Sequence, residues 1–250
     1  MKPKQKENLI KMPLEYDRTK KVKRWVSFFD ILGFKRMCQT NDPRKIFADI
    51  AGCLEALEER HKKQWADWSK FEFVHFSDSF IIYSPPIDPP ISNSPTFGGI
   101  ELISRLFFES LIQKQIPVRG ALSCGEFYVD KKQGVFFGKA LNEAYEIAES
   151  CNWLGFVLCP SATSRMKKEL GSEDGKVCPI EKFDRFAGLY KQYPIPKLKA
   201  KKCDAGVELG TACFFADKRK LLQSLGKMKA MAEKPEQKKK YENTIGFLQE

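Results

Sequence analysis

Histidine is scarce in this chain of 250 residues, with 2 in all, and no two cysteines stand in a Cys-x-x-Cys spacing. These absences exclude the usual zinc sites, which need closely spaced Cys and His ligands. No apolar run approaches the roughly 20 residues that cross a bilayer, and the opening MKPKQKENLIKMPLEYDRTKK has no apolar stretch of the kind a secretory leader carries. A cytoplasmic protein without a membrane partner is expected. No internal repeat is visible. The 8 cysteines (Cys38, Cys53, Cys124, Cys151, Cys159, Cys178, Cys203 and Cys213) fall inside apolar or helical runs and read as reduced, mostly buried small hydrophobes.

Charge is present in excess, at a formal +11, and its distribution decides what it means. Residues 1–24 hold 9 Lys and Arg against 3 acids, and residues 217–250 hold 9 against 5, whereas residues 25–216 hold 25 against 24. Basicity therefore belongs to the ends and the body is electrically ordinary. A solvated tail and a charged helix face account for this better than a nucleic-acid partner does. The expected division is a basic N-terminal tail over 1–22, a domain over 23–216 and a basic C-terminal helix and tail over 217–250. With 42% hydrophobic residues, the chain can bury one sizeable core.

Along the chain, KRWVSFFDILGF (Lys23 to Phe34) reads as a buried strand stopped at Gly33. Asn41-Asp42-Pro43 then starts a helix with Phe47, Ile50, Leu54 and Leu57 on one side. FEFVHF and FIIYS stand close enough to pair as a hairpin around Ser77-Asp78-Ser79. The Pro- and Ser-rich segment 85–96 is a loop, and the helix after it ends at Pro117. PVRGALSCGEFYVDKKQGVFFG predicts a strand broken at Gly125 and a short strand with a turn at 131–134. KALNEAYEIAESC is a third helix, WLGFVLCPSA a strand running into another helix, GTACFFAD a strand, and KRKLLQSLGKMKAMAEK a helix ended near Pro235. The order describes an α/β (α+β) sandwich, a mixed sheet covered by helices on one face.

Two acids stand out by position. Asp30 closes the buried run VSFFDILGF, and Asp78 sits at the tip of the hairpin. Each alone has a structural explanation, as a strand-end cap or as a residue that tolerates tight turns. If the first strand and the hairpin are neighbours, however, both carboxylates emerge at one edge, close enough to share divalent cations. Two such ions about 4 Å apart suit phosphoryl transfer. Gly33 lets the chain turn tightly after Asp30, so nearby N–H groups can receive phosphate oxygens.

FFDILGF, HFSDSFII, VRGALSCGEF and GKALNEAYEIAES resemble, in order and spacing, the catalytic core of class III nucleotidyl cyclases, the adenylate and guanylate cyclase family with a ferredoxin-like, palm-type core. The likeness spans roughly residues 24–165, while the paired-glycine hairpin signature of diguanylate cyclases is absent. The resemblance implies that Asp30 and Asp78 are metal ligands, with the backbone carbonyl of Ile31 a third. It assigns Leu32, Gly33 and Phe34 to the loop around the triphosphate, and Asn142 to a place near the ribose and transition state. Arg119 matches a basic residue of the strand before the family glycine, here Gly125, and reads equally well as a strand-edge charge.

This chain also departs from the family. Val74 and Val135 occupy the two purine-reading positions, and Glu146 stands where the family has an arginine after its asparagine. Either the site is degenerate, or it takes another base and stabilises phosphate with another cation, such as Lys139 or Arg119. Persistence of both aspartates favours the second. It points to the pyrimidine cyclase branch, known from the Pycsar antiphage system, with uracil favoured over cytosine by no residue in particular. The resemblance further implies two divalent cations (Mn2+ or Mg2+), a nucleoside triphosphate substrate, a homodimer with sites at its interface and a separate effector that reads the cyclic product. A purine cyclase with atypical base readout and a silent nucleotide- or nucleic-acid-binding module are the alternatives.

Overall fold

The computed structural model describes residues 21–64, 71–87, 97–170, 191–192, 209–211 and 218–249. In chain order they form β1 (Lys23–Ile31), α1 (Phe34–Thr40), α2 (Pro43–Gln64), β2 (Glu72–Phe76), β3 (Ser79–Tyr83), α3 (Phe97–Gln113), β4 (Val118–Glu126), β5 (Tyr128–Asp130), β6 (Val135–Phe137), α4 (Lys139–Ser150), β7 (Phe156–Leu158), α5 (Pro160–Leu170), β8 (Lys191–Gln192), β9 (Leu209–Thr211), α6 (Lys218–Met231) and α7 (Pro235–Gln249). The main sheet runs β2-β3-β1-β4-β7-β9-β8, and β5 pairs with β6 apart from it. β1 is an inner strand, antiparallel to β3 and β4, while β4 and β7 are parallel. The part ordered β2-β3-β1-β4 is the ferredoxin-like core.

Alternation along β1 sorts its side chains between two faces. On one face the Trp25 ring lies 5.7 Å from Phe97, the Ser27 and Ser104 hydroxyls bond at 2.6 Å, and Phe29 meets Phe107 edge-on at 5.2 Å. α3, with α2 packed on it, covers this side. Phe29 fits because its partner across β4 is Gly120, where a Cβ would come within 2.5 Å of the ring. Truncating a ring packed in this way to Ala costs about 3–5 kcal/mol. The opposite face carries Val26, Phe28 and Asp30. There α4 packs on β1 and β4, with Phe28 edge-on to Tyr145 at 5.4 Å and Ser123 Oγ donating to the Ala140 carbonyl at 2.6 Å. The sheet is mixed and helix-covered as expected, and α4 adds cover on the second face.

Three local features differ from the sequence reading. β4 runs on through Gly125, since that residue pairs with Arg24 and lies under Ala140, and the ladder ends one residue later. A short α1 follows Gly33 before the helix expected from residue 43. Pro235 opens a second C-terminal helix, a position where its missing N–H costs nothing. α7 then docks through Thr244, whose hydroxyl accepts from the Leu154 N–H at 2.8 Å, and through Phe247, edge-on to Trp153 at 4.8 Å. Five cysteines fall among the described residues, and Cys53, Cys151 and Cys159 are buried. Cys178, Cys203 and Cys213 lie outside the described residues.

Candidate active site

The hairpin of β2 and β3 closes through two residues, Ser77 and Asp78, with Ser77 at φ 52°. Asp30 pairs across the sheet with Ser79, and the Ile31 N–H donates to the Asp78 carbonyl at 2.8 Å. The end of β1 and the hairpin tip are thus joined backbone to backbone, and Asp30 and Asp78 share one end of the sheet. Burial pushes the Asp30 carboxyl above its ordinary value, the Arg119 guanidinium opposes this, and the charges of Asp78 and Glu149 raise it further. The two acids therefore feel one another.

Arg119 faces Asp30 directly on β4. Its Nε and Nη2 donate to Asp30 Oδ2 at 3.0 and 2.9 Å, and Nη1 donates to the Glu149 carbonyl at 2.8 Å. A cation at the carbonyl-rich end of α4 is well placed electrostatically, and it ties that helix to Asp30. Two carboxylates and a peptide carbonyl are hard oxygen donors of the type that holds Mg2+ or Mn2+. Arg119 grips only one oxygen of Asp30, so the donor set fits such an ion. Among the described residues no group of three or more His, Cys, Asp and Glu side chains could hold a metal.

Leu32 and Gly33 follow Asp30 directly. The Leu32 N–H bonds the Pro117 carbonyl at 2.8 Å, and Gly33, at φ 71° and ψ 24°, caps α1, which begins at Phe34. Val74 is half-buried on β2 in a row with Ile81 and Phe28, on the Asp30 face of the sheet. Val135 is exposed and pairs with Asp130. Asn142 and Lys139 stand in the first turn of α4, whose far end holds Arg119. At 1.5 Å per residue, they lie about 10 and 15 Å along the helix from Glu149. Lys139 is paired with Glu126 at 3.5 Å, and Asn142 is exposed. One chain therefore brings Asp30, Asp78, Arg119, Leu32 and Gly33 together and leaves Asn142 and Lys139 apart. The α4 position is held from below: Ser161 donates to the Glu143 carboxylate through its N–H and its hydroxyl, and accepts from the Cys124 N–H at 2.9 Å.

Beside Leu32 and Gly33 opens a cleft of about 570 Å³, walled by α1, the start of α2, the connection from α3 to β4 and the α6–α7 hairpin. Lys240 of α7 lines it, and its charge couples to Arg119, Asp30 and Glu149. The sequence reading did not place Lys240 near Asp30. The signal available was the helical spacing of Tyr241, Thr244 and Leu248, the buried residues of α7.

No family model matches this chain, and no curated protein matches it. Among solved structures, the catalytic core of a rhodopsin-guanylyl cyclase with converted specificity, in complex with ATPalphaS, is 13% identical, with 77% of this chain and 97% of that one covered and a TM-score of 0.52. The non-canonical dimeric guanylyl cyclase domain of the RhoGC fusion protein from the aquatic fungus Blastocladiella emersonii is 12% identical, with 76% and 93% covered and a TM-score of 0.49. The adenylyl cyclase CyaB from P. aeruginosa is 10% identical, with 79% and 96% covered and a TM-score of 0.48. At such identities the likeness is one of fold. The chain has the α+β fold of class III nucleotidyl cyclase catalytic domains, as the four sequence motifs led us to expect.

Proposed function

We propose that this protein is a nucleotidyl cyclase that converts a pyrimidine nucleoside triphosphate, UTP before CTP, into its 3′,5′-cyclic monophosphate and diphosphate. The observation that carries this is the junction of Asp30 with Asp78 through the Ile31 N–H, on a cyclase fold. Asp30, Asp78 and the Ile31 carbonyl would hold divalent cations, two by the resemblance, and such ions would neutralise charge at the phosphates and acidify the ribose 3′-hydroxyl. The 3′-hydroxyl gives its proton to water, its oxygen bonds to the α-phosphorus, and the bond from that phosphorus to the α–β bridging oxygen breaks, so diphosphate leaves with the electron pair. Leu32, Gly33 and Phe34 surround the triphosphate and hold it in line. Val74 and Val135 offer no hydrogen bond to a purine edge, which favours a smaller base.

Asn142 and Lys139, remote from Asp30 within one chain, act from a second copy in a homodimer. The exposed Phe76, Val135, Phe137 and Tyr145 supply apolar surface for that contact. Among the described residues no helix is long and apolar enough to cross a membrane. We place the enzyme in the cytoplasm, where a separate effector reads the cyclic product during antiphage defence.

The grip of Arg119 on Asp30 favours a second reading, a module that binds nucleotide without turning it over. Incubation of purified protein with each of the four triphosphates and Mn2+, with products identified by mass spectrometry, separates the two. Cyclic UMP or cyclic CMP supports the proposal. Unchanged nucleotide in every reaction removes it, and a purine product would revise the base assignment.

A further inference from the structure

The resemblance to cyclases accounts for the loop at residues 32–34 and is silent on the last 35 or so residues of the chain, yet one side of the cleft beside that loop is built from α6 and α7. The charged side chains lining the cleft are Arg36, Lys45, Lys114, Lys240 and a single acid, Asp49. Two of the cations are engaged within the protein, Arg36 with Glu233 and Lys114 with Asp49 at 3.1 Å. For Lys240, no carboxylate among the described residues comes within ion-pair distance. The charges that act on it are those of the cation Arg119 and the acids Asp30 and Glu149.

The position of Lys240 is set by the docking of α7. The Thr244 hydroxyl, which accepts from Leu154, also donates to the Lys240 carbonyl at 3.0 Å, and Asn243 Nδ2 donates to the Asn152 carbonyl at 2.7 Å. The helix turn that carries Lys240 is therefore anchored to the connection between α4 and β7. Burial and the neighbouring Arg119 both disfavour its charged form, so the amine sits below its ordinary value. Asp30 and Glu149 favour the charged form, but by less than burial and Arg119 oppose it, so a further anion in the cleft would stabilise the ammonium.

We propose that this cleft is a polyphosphate-binding site and that Lys240, supplied by the C-terminal helix α7, is its principal cation. On the cyclase reading, which this inference uses only to name the nucleotide, the site holds the β- and γ-phosphates beside Asp30. Lys240 then supplies the positive charge that Glu146 cannot. The C-terminal hairpin is thereby part of the substrate site, and a free polyphosphate competes with the nucleotide there.

Inorganic diphosphate is the probe that tests this without any assumption about the base. Titration calorimetry on the full-length protein should show that K240M weakens diphosphate binding about tenfold or more, the loss expected for one charge-assisted hydrogen bond. K240R should bind nearly as well as the parent, and K238M, at an exposed position of α7 outside the cleft, should be unchanged. Equal binding by K240M and the parent overturns the proposal, as does a parent that binds no diphosphate at millimolar concentration. Amine acetylation read by mass spectrometry needs no variant and decides the matter should K240M not fold: diphosphate must protect Lys240 and not Lys238, and equal labelling overturns the proposal. The cyclase reading fails separately. Lys240-dependent diphosphate binding with no cyclic product from any triphosphate leaves this site standing, while cyclisation with an unchanged KM in K240M removes it.

Discussion

Arg119 and Asp30 face one another on β4 and β1, and the guanidinium holds a single carboxylate oxygen from two nitrogens, at 3.0 and 2.9 Å. The side chains are 10% and 20% exposed, so the pair is largely withdrawn from water. Arg119→Met removes the cation and leaves Asp30 in the same half-buried place. Breaking a fully buried pair costs about 3–5 kcal/mol, and residual exposure of Asp30 puts the expected loss near 2–3 kcal/mol. Urea denaturation of the two proteins measures it. A loss under about 0.5 kcal/mol, the range of ordinary surface substitutions, would show that the contact is incidental.

Asp30 also sets a pH dependence whose sign follows from its neighbours. Burial raises its carboxyl above the unfolded value of 3.8 by more than Arg119 lowers it. Between the unfolded and folded values the native state binds the extra proton, so this residue's contribution to stability declines as pH rises through that window and stays unfavourable above it. Asp30→Asn should accordingly match or exceed the parent in stability at neutral pH, and the difference should vanish below pH 3.8. Thermal melts of both proteins across that range are the check. A neutral-pH melt well below the parent's would mean that Arg119 dominates the carboxylate after all. The same variant should lose stabilisation by added Mn2+, because a carboxamide is a poor ligand for a hard cation.

The strands and helices of the core were readable because their apolar content is strong: β1 carries Trp25, Val26, Phe28, Phe29 and Ile31 in nine residues, and α4 repeats its buried Ala140, Ala144, Ile147 and Ala148 at helical spacing. The proximity of Asp30 and Asp78 was readable too, since a two-residue hairpin next to β1 leaves little choice of register. Other features depend on tertiary contacts that no local pattern encodes. The end of α4 on Arg119 is one, and it turns an apparent strand-edge charge into the partner of Asp30. The docking of α7 is another. In the sequence Lys240 is the last of three consecutive lysines and looks like solvent-facing charge, and the contacts of Thr244, Asn243 and Phe247 with the connection before β7 bring it to the cleft.

Two glycines near the site should respond differently to alanine. Gly33 needs φ 71°, but its missing Cβ would meet nothing within 4 Å. Gly33→Ala should cost about 1–2 kcal/mol, the penalty for a left-handed residue, and leave a folded protein with weakened nucleotide binding. At Gly138, φ is 155° and a Cβ would lie 2.3 Å from the Glu126 carbonyl oxygen and 2.7 Å from the Phe127 Cα. Both are backbone atoms, so the start of α4 must shift. Gly138→Ala should be the more damaging by several kcal/mol, in line with other overpacked and strained sites. Circular dichroism melts rank the two, and equal losses would contradict the backbone clash.

The separation of Asn142 from Asp30 leads to a test of the homodimer. Asn142 lies about 10 Å along α4 from the Glu149 carbonyl that Arg119 holds, and its side chain is exposed. If each site takes Asp30 from one chain and Asn142 from the other, Asp30→Asn and Asn142→Ala homodimers are both inactive. Mixed after subunit exchange, half of the dimers are heterodimers, and each contains one site with both residues intact and one with neither. The mixture should recover about a quarter of the parent rate, as two-fold symmetry requires. Analytical ultracentrifugation confirms the dimer and the triphosphate assay reads the recovery. No recovery in a mixture shown to exchange subunits would place Asn142 and Asp30 in the service of the same chain, and the interface site would have to be abandoned.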